Sequence, residues 1–310
     1  MRPLLITVLG GTGFVGARLV ARLAAAGHRV RVPTRDPQAA RHLAVLPTVE
    51  RLRVDVHQPE ALRAVIAGSD VVVNLVGILN EKGFSGRGFE LAHAELTRKV
   101  VASCVETHVT RYLHMSALGA DEAGPSHYLR SKGIAERHVR AAPGTLDWTL
   151  FRPSVIFGVG DSLLNRFAAL LRLSGGFMPL ARAEARFAPV WIDDVVSAFE
   201  RALYGGATSR QSYDLCGPQV MTLGELVRYT GELAGTGAHV LALPDALGRL
   251  QARIMDFVPG KPFSSDNFRS LTVDNVCRDN GFARLGMTPT ALASIAPTYI
   301  HGPSIRRPSR

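Results

Sequence analysis

A glycine-rich turn near the start of the chain constrains the fold more than any other feature of this sequence. Gly10, Gly13 and Gly16 follow an apolar run at residues 4–9 and precede an amphipathic stretch at residues 14–26. Glycine at this spacing lets the backbone turn tightly, approach a pyrophosphate and pack a helix close to a strand. The N-terminus of that helix offers free N–H groups to phosphate oxygens. The turn therefore predicts a strand–turn–helix unit that binds a dinucleotide.

The first half of the chain repeats this alternation of short apolar runs and amphipathic stretches. The predicted strands cover residues 4–9, 30–32, 52–56, 71–76, 112–115 and 148–151, and the predicted helices cover residues 14–26, 59–67, 89–105 and 128–139. This rhythm is typical of βαβ units around a parallel sheet. The fold class is therefore predicted as α/β: a Rossmann-type doubly wound parallel sheet with a smaller mixed α/β C-terminal part.

The second half loses that rhythm, which predicts a division of the chain. Helical patterns at residues 163–173, 194–204, 223–234 and 246–257 alternate there with short strands and Pro/Gly turns. We expect an NAD(P)-binding Rossmann domain at residues 1–160 and a smaller substrate or partner part at residues 161–300, interleaved with the first. Residues 301–310 are polar and rich in proline, which predicts a flexible tail.

The composition excludes several classes of protein. Of the 310 residues, 46% are hydrophobic and 20% are charged, which argues against a disordered chain, and no apolar run approaches the length of a membrane span. The net charge of +10 comes from scattered arginines without a block of like charges. The sequence therefore argues against nucleic acid and favours an acidic ligand, an anionic protein or an anionic membrane surface as the partner.

The three cysteines are odd in number, far apart and without a CxxC pair: Cys104, Cys216 and Cys277. This pattern argues against a disulfide framework and against a zinc site, so no metal is predicted. It fits a reducing compartment, which predicts a cytoplasmic location.

The choice of nucleotide depends on the end of the second strand. An NAD site carries a carboxylate there for the ribose hydroxyls, whereas an NADP site carries an arginine for the 2′-phosphate. Thr34 stands where the acid is expected and Arg35 follows it, which favours NADP(H) over NAD(H). Asp36, one residue later, leaves the NAD alternative open. The predicted cofactor contacts are Gly10, Thr12, Gly13, Phe14, Val15 and Gly16 in the turn, Arg35, Asp55 and Val56 at the ends of strands two and three, and Asn74, Leu75, Val76 and Gly77 after strand four.

Tyr128 and Lys132 are the candidate catalytic pair. Residues four apart lie on one face of a helix, so the phenol and the ammonium can point into the same cleft. A nearby ammonium favours the phenolate and makes proton exchange with a substrate hydroxyl or carbonyl practical. The alternative is an exposed tyrosine beside a solvated lysine.

These motifs occur in the order of a known family. The glycine turn, residues 74–77, the Tyr128–Lys132 pair and residues 151–153 together resemble the short-chain dehydrogenase/reductase superfamily, in its extended and atypical branches, where NAD-dependent epimerases and dehydratases belong. The resemblance implies a serine at the end of strand five. Ser116 takes the first of the two usual serine positions, and Ala117 takes the second, which is more often the catalytic one, so either Ser116 or no serine completes the site. The resemblance also implies that Pro153 and Val155 meet the nicotinamide and that Lys132 contacts its ribose.

The distal half narrows the resemblance. Residues 257–262, residues 266–270 and the stretch from Ser116 to Lys132 are similar to the group of the NADPH-binding accessory subunit of respiratory complex I. That group implies a tightly held nucleotide that need not be turned over, a membrane respiratory complex as partner and a peripheral position at the inner face of a membrane. The Asp193–Asp194 pair is interpreted as a helix cap and a first-turn charge.

Several functions stay open on these residues. The first is an NADP(H)-dependent oxidoreductase acting on an unknown carbonyl or hydroxyl substrate, with Tyr128 exchanging the proton. The second is a non-catalytic accessory or assembly protein of a complex I-like assembly, and the third is a redox-sensing regulator. A sugar-nucleotide epimerase or dehydratase is disfavoured because the loop between Ser116 and Tyr128 is short.

Overall fold

The computed structural model of this chain describes residues 2–38, 40–259 and 261–300. The predicted tail at residues 301–310 and Gly260 of the distal motif lie outside these residues. The chain divides into two units, each built from separate stretches. The first contains Met1–Pro153, Ile192–Leu215 and Asp279–Met287, and the second contains Ser154–Trp191, Cys216–Arg278 and Thr288–Arg310. The domain boundaries predicted at residues 160 and 300 stay predictions.

The helices and strands of the described residues are numbered in chain order. The strands are β1 (Leu5–Leu9), β2 (Arg29–Thr34), β3 (Val49–Arg53), β4 (Val71–Asn74), β5 (Arg111–Met115), β6 (Asp147–Pro153), β7 (Ile156–Phe157), β8 (Phe177–Ala181), β9 (Arg186–Phe187), β10 (Val190–Trp191), β11 (Gln211–Leu215), β12 (Met221–Thr222) and β13 (His239–Leu243). The helices are α1 (Phe14–Ala25), α2 (Pro59–Ile66), α3 (Arg87–Phe89), α4 (Leu96–Glu106), α5 (His127–Arg140), α6 (Leu164–Leu173), α7 (Ile192–Arg201), α8 (Leu223–Leu233), α9 (Asp245–Met255), α10 (Ser265–Ser270), α11 (Gly281–Arg284) and α12 (Leu292–Ile295).

The first unit contains a seven-stranded parallel sheet in the order β11-β6-β5-β4-β1-β2-β3. This order confirms the Rossmann-type fold class. The third strand begins three residues earlier than predicted, because its pairing with β2 runs from Val30–Val49 to Thr34–Arg53. Strand β11 was missed, because its short run gains its place in the sheet only by pairing with β6.

One large apolar core lies between the sheet of this unit and the helices α2, α4 and α5. Its buried members are Leu9, Leu62, Val65, Ile66, Val72, Leu96, Val100, Val101, Cys104, Val109, Tyr112, Val139, Ala142, Leu146, Trp148 and Leu150. Fully burying a valine, leucine or isoleucine side chain stabilises the folded state by about 1.5–3 kcal/mol. The core thus fixes the carboxyl ends of the strands, where the candidate site lies.

The long helix predicted at residues 89–105 is not a single regular helix. Between α3 and α4 the backbone makes π-helical turns at Glu90–Glu95. Such turns are rare in proteins, and those that occur are often found at functional sites. This segment carries His93, which is buried.

Within the described residues, the second unit contains three two-stranded ladders and the helices around them. Strands β7 and β10 pair in parallel, as do β8 and β13, whereas β9 and β12 pair antiparallel. Its main core joins α6, α8 and α12 through the buried side chains Phe157, Leu164, Ala168, Leu226, Ala234, Leu292, Ala296 and Ile300.

The expectation against a disulfide is wrong. Cys216 and Cys277 are bonded in the second unit with an S–S distance of 2.03 Å, although 61 residues separate them in sequence. Their Cα atoms lie 6.0 Å apart because the segment after β11 and the segment before α11 run side by side. Spacing along the chain cannot reveal such a neighbour. Cys104 is free and buried, and burial raises the pKa of its thiol.

Asp193 and Asp194 both lie in the first turn of α7, which begins at Ile192, so the predicted first-turn charge is confirmed and the predicted helix cap is wrong. Asp193 is more than a first-turn charge, because the guanidinium of Arg18 on α1 donates two hydrogen bonds to its carboxylate at 2.5 and 2.7 Å. The pair ties α7 to the first helix of the same unit, so this carboxylate has a structural role.

Candidate functional site

The N-terminus of α5 positions the predicted catalytic pair. Ser126 caps the helix, and its Oγ accepts a hydrogen bond from the Leu129 backbone N–H at 3.1 Å. Tyr128 therefore lies in the first turn, and Lys132 lies one turn later on the same side of the helix.

Lys132 is buried, with 3% of its surface exposed. Its Nζ donates a hydrogen bond to the Met115 carbonyl oxygen at the end of β5, at 3.1 Å. Burial lowers the pKa of this ammonium to about 8, and the negative charge of Glu136 opposes that shift. Lys132 can therefore change its protonation state close to neutral pH, unlike a solvated lysine.

Tyr128 is half-buried between two rings. Its ring meets Phe89 and His93 edge-on, with ring centroids 6.0 and 5.5 Å apart. Burial raises the pKa of its phenol to about 12, so the expected preference for the phenolate is not found. At neutral pH Tyr128 is a phenol and can donate a proton.

Ser116 directly follows β5, and its backbone N–H continues the ladder by donating to the Phe151 carbonyl at 2.8 Å. Its side chain is buried, yet Oγ makes no hydrogen bond within the described residues. A buried hydroxyl without a partner costs free energy, and such a group in a native structure needs an explanation. Ser116 thus offers an unsatisfied polar group beside the carbonyl that Lys132 contacts.

Two buried histidines border this site, and neither was identified from the sequence. His93 Nε2 accepts a hydrogen bond from the Ile78 backbone N–H at 3.0 Å, so Nδ1 carries the proton and donates to Ser131 Oγ at 2.8 Å. Burial and the charge of Lys132 lower the pKa of His93 well below its usual value. His93 is therefore neutral and fixes the loop after β4 against α5. No local pattern marks it, because its partners are distant in sequence.

The second histidine belongs to a line of buried polar groups across β4 and β5. Asn74 Oδ1 accepts from the Val76 backbone N–H at 3.1 Å, and its Nδ2 donates to the Tyr112 hydroxyl at 3.3 Å. The Tyr112 hydroxyl lies 2.9 Å from Nδ1 of His114. His114 Nε2, like Ser116 Oγ, is buried without a hydrogen bond within the described residues. Asn74 therefore forms hydrogen bonds both to β5 and to the loop after β4 that is predicted to contact the cofactor.

The glycine turn has the geometry expected of a phosphate-binding turn. Gly10 has φ +77°, a conformation that favours glycine, and a Cβ on Gly16 would overlap the Gly10 carbonyl oxygen. Gly13 differs from both, since a Cβ there would meet only that oxygen, at 3.3 Å. Gly13 is exposed and caps α1, so the space in front of it fits a phosphate group. Thr12 and Phe14 are partly buried beside it, and Val15 is buried.

The edge formed by the ends of β2 and β3, where nucleotide selection was predicted, contains a second arginine that was not predicted. Arg35 is exposed directly after β2, and Arg53 ends β3 opposite Thr34. Asp36 Oδ1 accepts a hydrogen bond from the Gln38 backbone N–H at 2.9 Å, which gives this carboxylate a role in the turn. The register that places Arg53 here is set by the pairing of β2 with β3.

The other predicted cofactor residues after strands three and four lie in the first unit. Asp55 is exposed and its Oδ1 accepts from the His57 backbone N–H at 3.1 Å. Val56 and Val76 pack against the apolar core, and Leu75 is buried. A Cβ on Gly77 would lie 3.4 Å from both His93 Nε2 and Lys132 Nζ, which places this loop beside the predicted catalytic pair.

Pro153 and Val155 belong to different units. Pro153 ends β6, and its carbonyl accepts from the Leu118 N–H at 3.1 Å. The Val155 N–H donates to Asn275 Oδ1 at 3.0 Å, so this backbone donor already has a partner. The nicotinamide contacts of both residues remain predictions.

Among residues 2–38, 40–259 and 261–300, no helix is long and apolar enough to cross a membrane. Within the same ranges no group of three or more His, Cys, Asp or Glu side chains could hold a metal ion.

Comparison with known proteins adds independent findings. Residues 10–159 match a protein family described as NAD(P)H-binding. NADH dehydrogenase (ubiquinone) 1 alpha subcomplex subunit 9, mitochondrial, of Arabidopsis thaliana is 32% identical over 306 residues, which cover 92% of this chain and 74% of the relative. Ceramide reductase of Caulobacter vibrioides is 28% identical over 245 residues, covering 77% and 74%. The dTDP-glucose 4,6-dehydratase DesIV of Streptomyces venezuelae superposes with a TM-score of 0.75 at 20% identity, covering 97% and 96%, and shares the fold.

Proposed function

Because this chain belongs to the short-chain dehydrogenase/reductase superfamily, in its extended and atypical branch and in the group of subunit 9 of mitochondrial NADH dehydrogenase, we propose that it is an NADP(H)-dependent oxidoreductase. It interconverts a carbonyl and a hydroxyl group. The nicotinamide supplies or takes the hydride, and Tyr128 exchanges the proton at the substrate oxygen.

The burial of the Tyr128–Lys132 pair carries this proposal. A solvated tyrosine and lysine would keep their ordinary pKa values, whereas here burial raises one to about 12 and lowers the other to about 8. Pairs of titratable groups whose environments shift their pKa values are typical of acid–base sites. The unsatisfied Ser116 hydroxyl lies one residue beyond the carbonyl that holds Lys132.

The same pKa values favour reduction over oxidation. A phenol with a pKa of about 12 is protonated at neutral pH, so Tyr128 is ready to donate a proton to a carbonyl oxygen that receives hydride. Oxidation of an alcohol would first require removal of that proton. A screen that follows NADPH absorbance with aldehydes and ketones tests the proposal, and the absence of turnover with every class contradicts it.

The charge on Lys132 predicts a pH dependence. Below about pH 8 the ammonium is protonated and can polarise the Tyr128 phenol, and above that pH the charge is lost. We expect kcat/KM for carbonyl reduction to fall as the pH rises through about 8. Lys132→Arg keeps its charge at high pH, so the fall should disappear even if the rate is lower. A wild-type profile that stays flat to pH 10 would contradict this role.

We propose that the edge formed by the ends of β2 and β3 makes the protein prefer NADPH to NADH. Arg35 and Arg53 supply positive charge there, and the Asp36 carboxylate is engaged with the Gln38 backbone. We expect NADPH to bind more tightly than NADH, and Arg35→Ala to weaken NADPH binding about ten- to a hundredfold, the usual value of one charge-assisted contact.

The Arg35 prediction is checked by titrating both nucleotides into wild type and variant. Arg41→Ala is the matched control, since Arg41 is an exposed arginine outside this edge. Equal affinities of the wild type for NADPH and NADH would refute the assignment.

The substrate class is proposed as an apolar carbonyl compound. The loop between β4 and α3 exposes two large apolar side chains, Leu79 at 60% and Phe84 at 58%. This loop is bonded to His93 through Ile78, and Gly86 in it lies against the His127 ring beside Tyr128. The name of the Caulobacter relative, ceramide reductase, describes an enzyme with an apolar substrate and supports the same class.

A second candidate function is a nucleotide-holding accessory or assembly protein of a membrane respiratory complex. The Arabidopsis relative is a subunit of NADH dehydrogenase. An exposed apolar stripe on α9 favours a peripheral membrane position: Leu247, Leu250 and Ile254 are 52–57% exposed. Gly248 and Ala252, on the opposite side of the helix, are buried. Arg249 and Arg253 lie beside the stripe. Apolar stripes flanked by arginine are typical of helices that lie in an anionic membrane surface.

The membrane proposal predicts binding to vesicles. The protein should sediment with vesicles that contain phosphatidylglycerol and less with pure phosphatidylcholine, because apolar burial and arginine charge both contribute. Leu250→Ser with Ile254→Ser should reduce binding at least about tenfold. Val45→Ser, at another exposed apolar residue, is the control. Equal binding of the variant and the wild type would exclude α9 as the contact.

A further inference from the structure

The polar side chains buried behind Ser116 form a line of hydrogen bonds, and these bonds all run in one direction from donor to acceptor. Side chains alternate along a strand, so Tyr112, His114 and Ser116 share one face of β5 and its continuation. Helices α4 and α5 cover this face, and Lys132 of α5 is bonded to the carbonyl between His114 and Ser116. His114 is 2% exposed and Ser116 is 3% exposed.

Asn74 sets the direction at the start of the line. A backbone N–H can only donate, so the bond from Val76 identifies the Asn74 oxygen and orients its amide. The Asn74 nitrogen must then donate, and the Tyr112 oxygen accepts from it at 3.3 Å. The Tyr112 proton is left to donate, and the imidazole nitrogen of His114 at 2.9 Å is a stronger acceptor than the neighbouring hydroxyl of Thr97.

The His114 ring continues the same donor-to-acceptor direction. A neutral imidazole has one donor and one acceptor, so a ring that accepts at Nδ1 carries its proton on Nε2. Burial and the charge of Lys132 lower the pKa of His114 well below its usual value, which keeps the ring neutral. Nε2–H is therefore a buried donor without an acceptor within the described residues.

The two unsatisfied atoms, His114 Nε2 and Ser116 Oγ, belong to residues two apart along this face. Residues two apart on a strand have Cα atoms about 6.7 Å apart. A water that accepts from one group and donates to another spans roughly 5.5–6 Å. Buried waters typically satisfy polar groups of this kind.

We propose that Asn74, Tyr112 and His114 form a one-way chain of hydrogen-bond donors that continues through a water molecule to Ser116. The water accepts from His114 Nε2–H and donates to Ser116 Oγ. The Ser116 proton is then left to donate to the carbonyl oxygen of the substrate; this last step rests on the proposed function. His114 is thus a positioning residue that turns Ser116 into a donor. The chain strengthens that donor because consecutive hydrogen bonds polarise one another.

The chain is tested without turnover by nitrogen NMR of the full chain labelled on its histidine rings. We expect His114 to carry its proton on Nε2 and His93 to carry it on Nδ1, so one spectrum contains both tautomers. His114→Gln and His93→Gln assign the signals. Tyr112→Phe keeps the ring shape, removes the donor to Nδ1 and should change the His114 pattern while leaving His93 unchanged. A proton on Nδ1 of His114 in wild type overturns the chain.

Kinetics test the role of the chain in the proposed reaction. His114→Leu should lower kcat for carbonyl reduction about ten- to a hundredfold, with NADPH affinity unchanged, and His114→Gln, which keeps an N–H donor, should recover part of the loss. The double variant His114→Leu with Ser116→Ala should be no slower than Ser116→Ala alone, because both substitutions interrupt the same chain of hydrogen bonds. Additive losses overturn the role.

Two further results separate this inference from the proposed function. Tyr112→Phe replaces His114→Leu as the kinetic probe if the latter does not fold, and a Tyr112→Phe enzyme as fast as the wild type overturns the role. The expected tautomers in a protein that reduces no carbonyl compound support the chain and contradict the proposed oxidoreductase.

Discussion

Replacing Tyr128 by phenylalanine is expected to lower turnover by about 10²–10⁴-fold while NADPH affinity stays nearly unchanged. This is the usual contribution of a positioned general acid. The ring would keep its edge contacts with Phe89 and His93, so only the hydroxyl is lost. Single-turnover oxidation of bound NADPH measures the step directly.

Two variants complete the Tyr128 experiment. Lys132→Ala should lower both turnover and nucleotide affinity, because the ammonium serves the phenol and the nicotinamide ribose in the arrangement that the superfamily implies. Tyr204→Phe is the control, since it removes a hydroxyl from an exposed tyrosine outside the site. A Tyr128→Phe protein that matches the wild type in turnover would leave the nucleotide-holding accessory function as the better account.

Replacing Gly13 by valine is expected to weaken dinucleotide binding at least about a hundredfold and to leave the fold intact. A Cβ at this position meets only the Gly10 oxygen at 3.3 Å, so the protein itself tolerates a side chain there. The branched side chain would fill the space that the pyrophosphate needs. Nucleotide titration and thermal unfolding without nucleotide measure the two effects separately.

Other glycines supply the controls for Gly13. A Cβ on Gly16 would overlap the Gly10 carbonyl oxygen, so Gly16→Ala should lower the melting temperature before nucleotide is added. Gly144→Val should change neither property, since a Cβ there meets nothing within 4 Å. Retained nucleotide affinity in a folded Gly13→Val protein would show that this turn has only a structural role.

Local patterns in the sequence predicted the residues of the candidate site. The spacing of Gly10, Gly13 and Gly16 identified the turn, because tight turning and phosphate approach are properties of a short backbone segment. The four-residue spacing of Tyr128 and Lys132 placed them on one side of α5, because helical periodicity is a local property. Their buried environment was not predictable, since Phe89, His93 and Met115 come from other elements.

Burial also reversed one chemical expectation. The sequence places an ammonium near the Tyr128 phenol, and that proximity favours the phenolate. In the folded chain the loss of water around the ring raises the pKa of Tyr128 to about 12. Desolvation depends on every element packed around a group, so neighbouring residues in the sequence do not determine it.

By itself the sequence determined the Rossmann-type class, and it predicted the glycine turn and the Tyr128–Lys132 pair as site residues, because each depends on periodicity or spacing within a few turns of backbone. Only the tertiary structure decided that Cys216 bonds to Cys277, that Arg53 lies opposite Thr34, and that His114 ends a polar line behind Ser116. These features join residues from separate elements. Their contacts follow from strand register and the packing of helices on the sheet, which are set by the whole core.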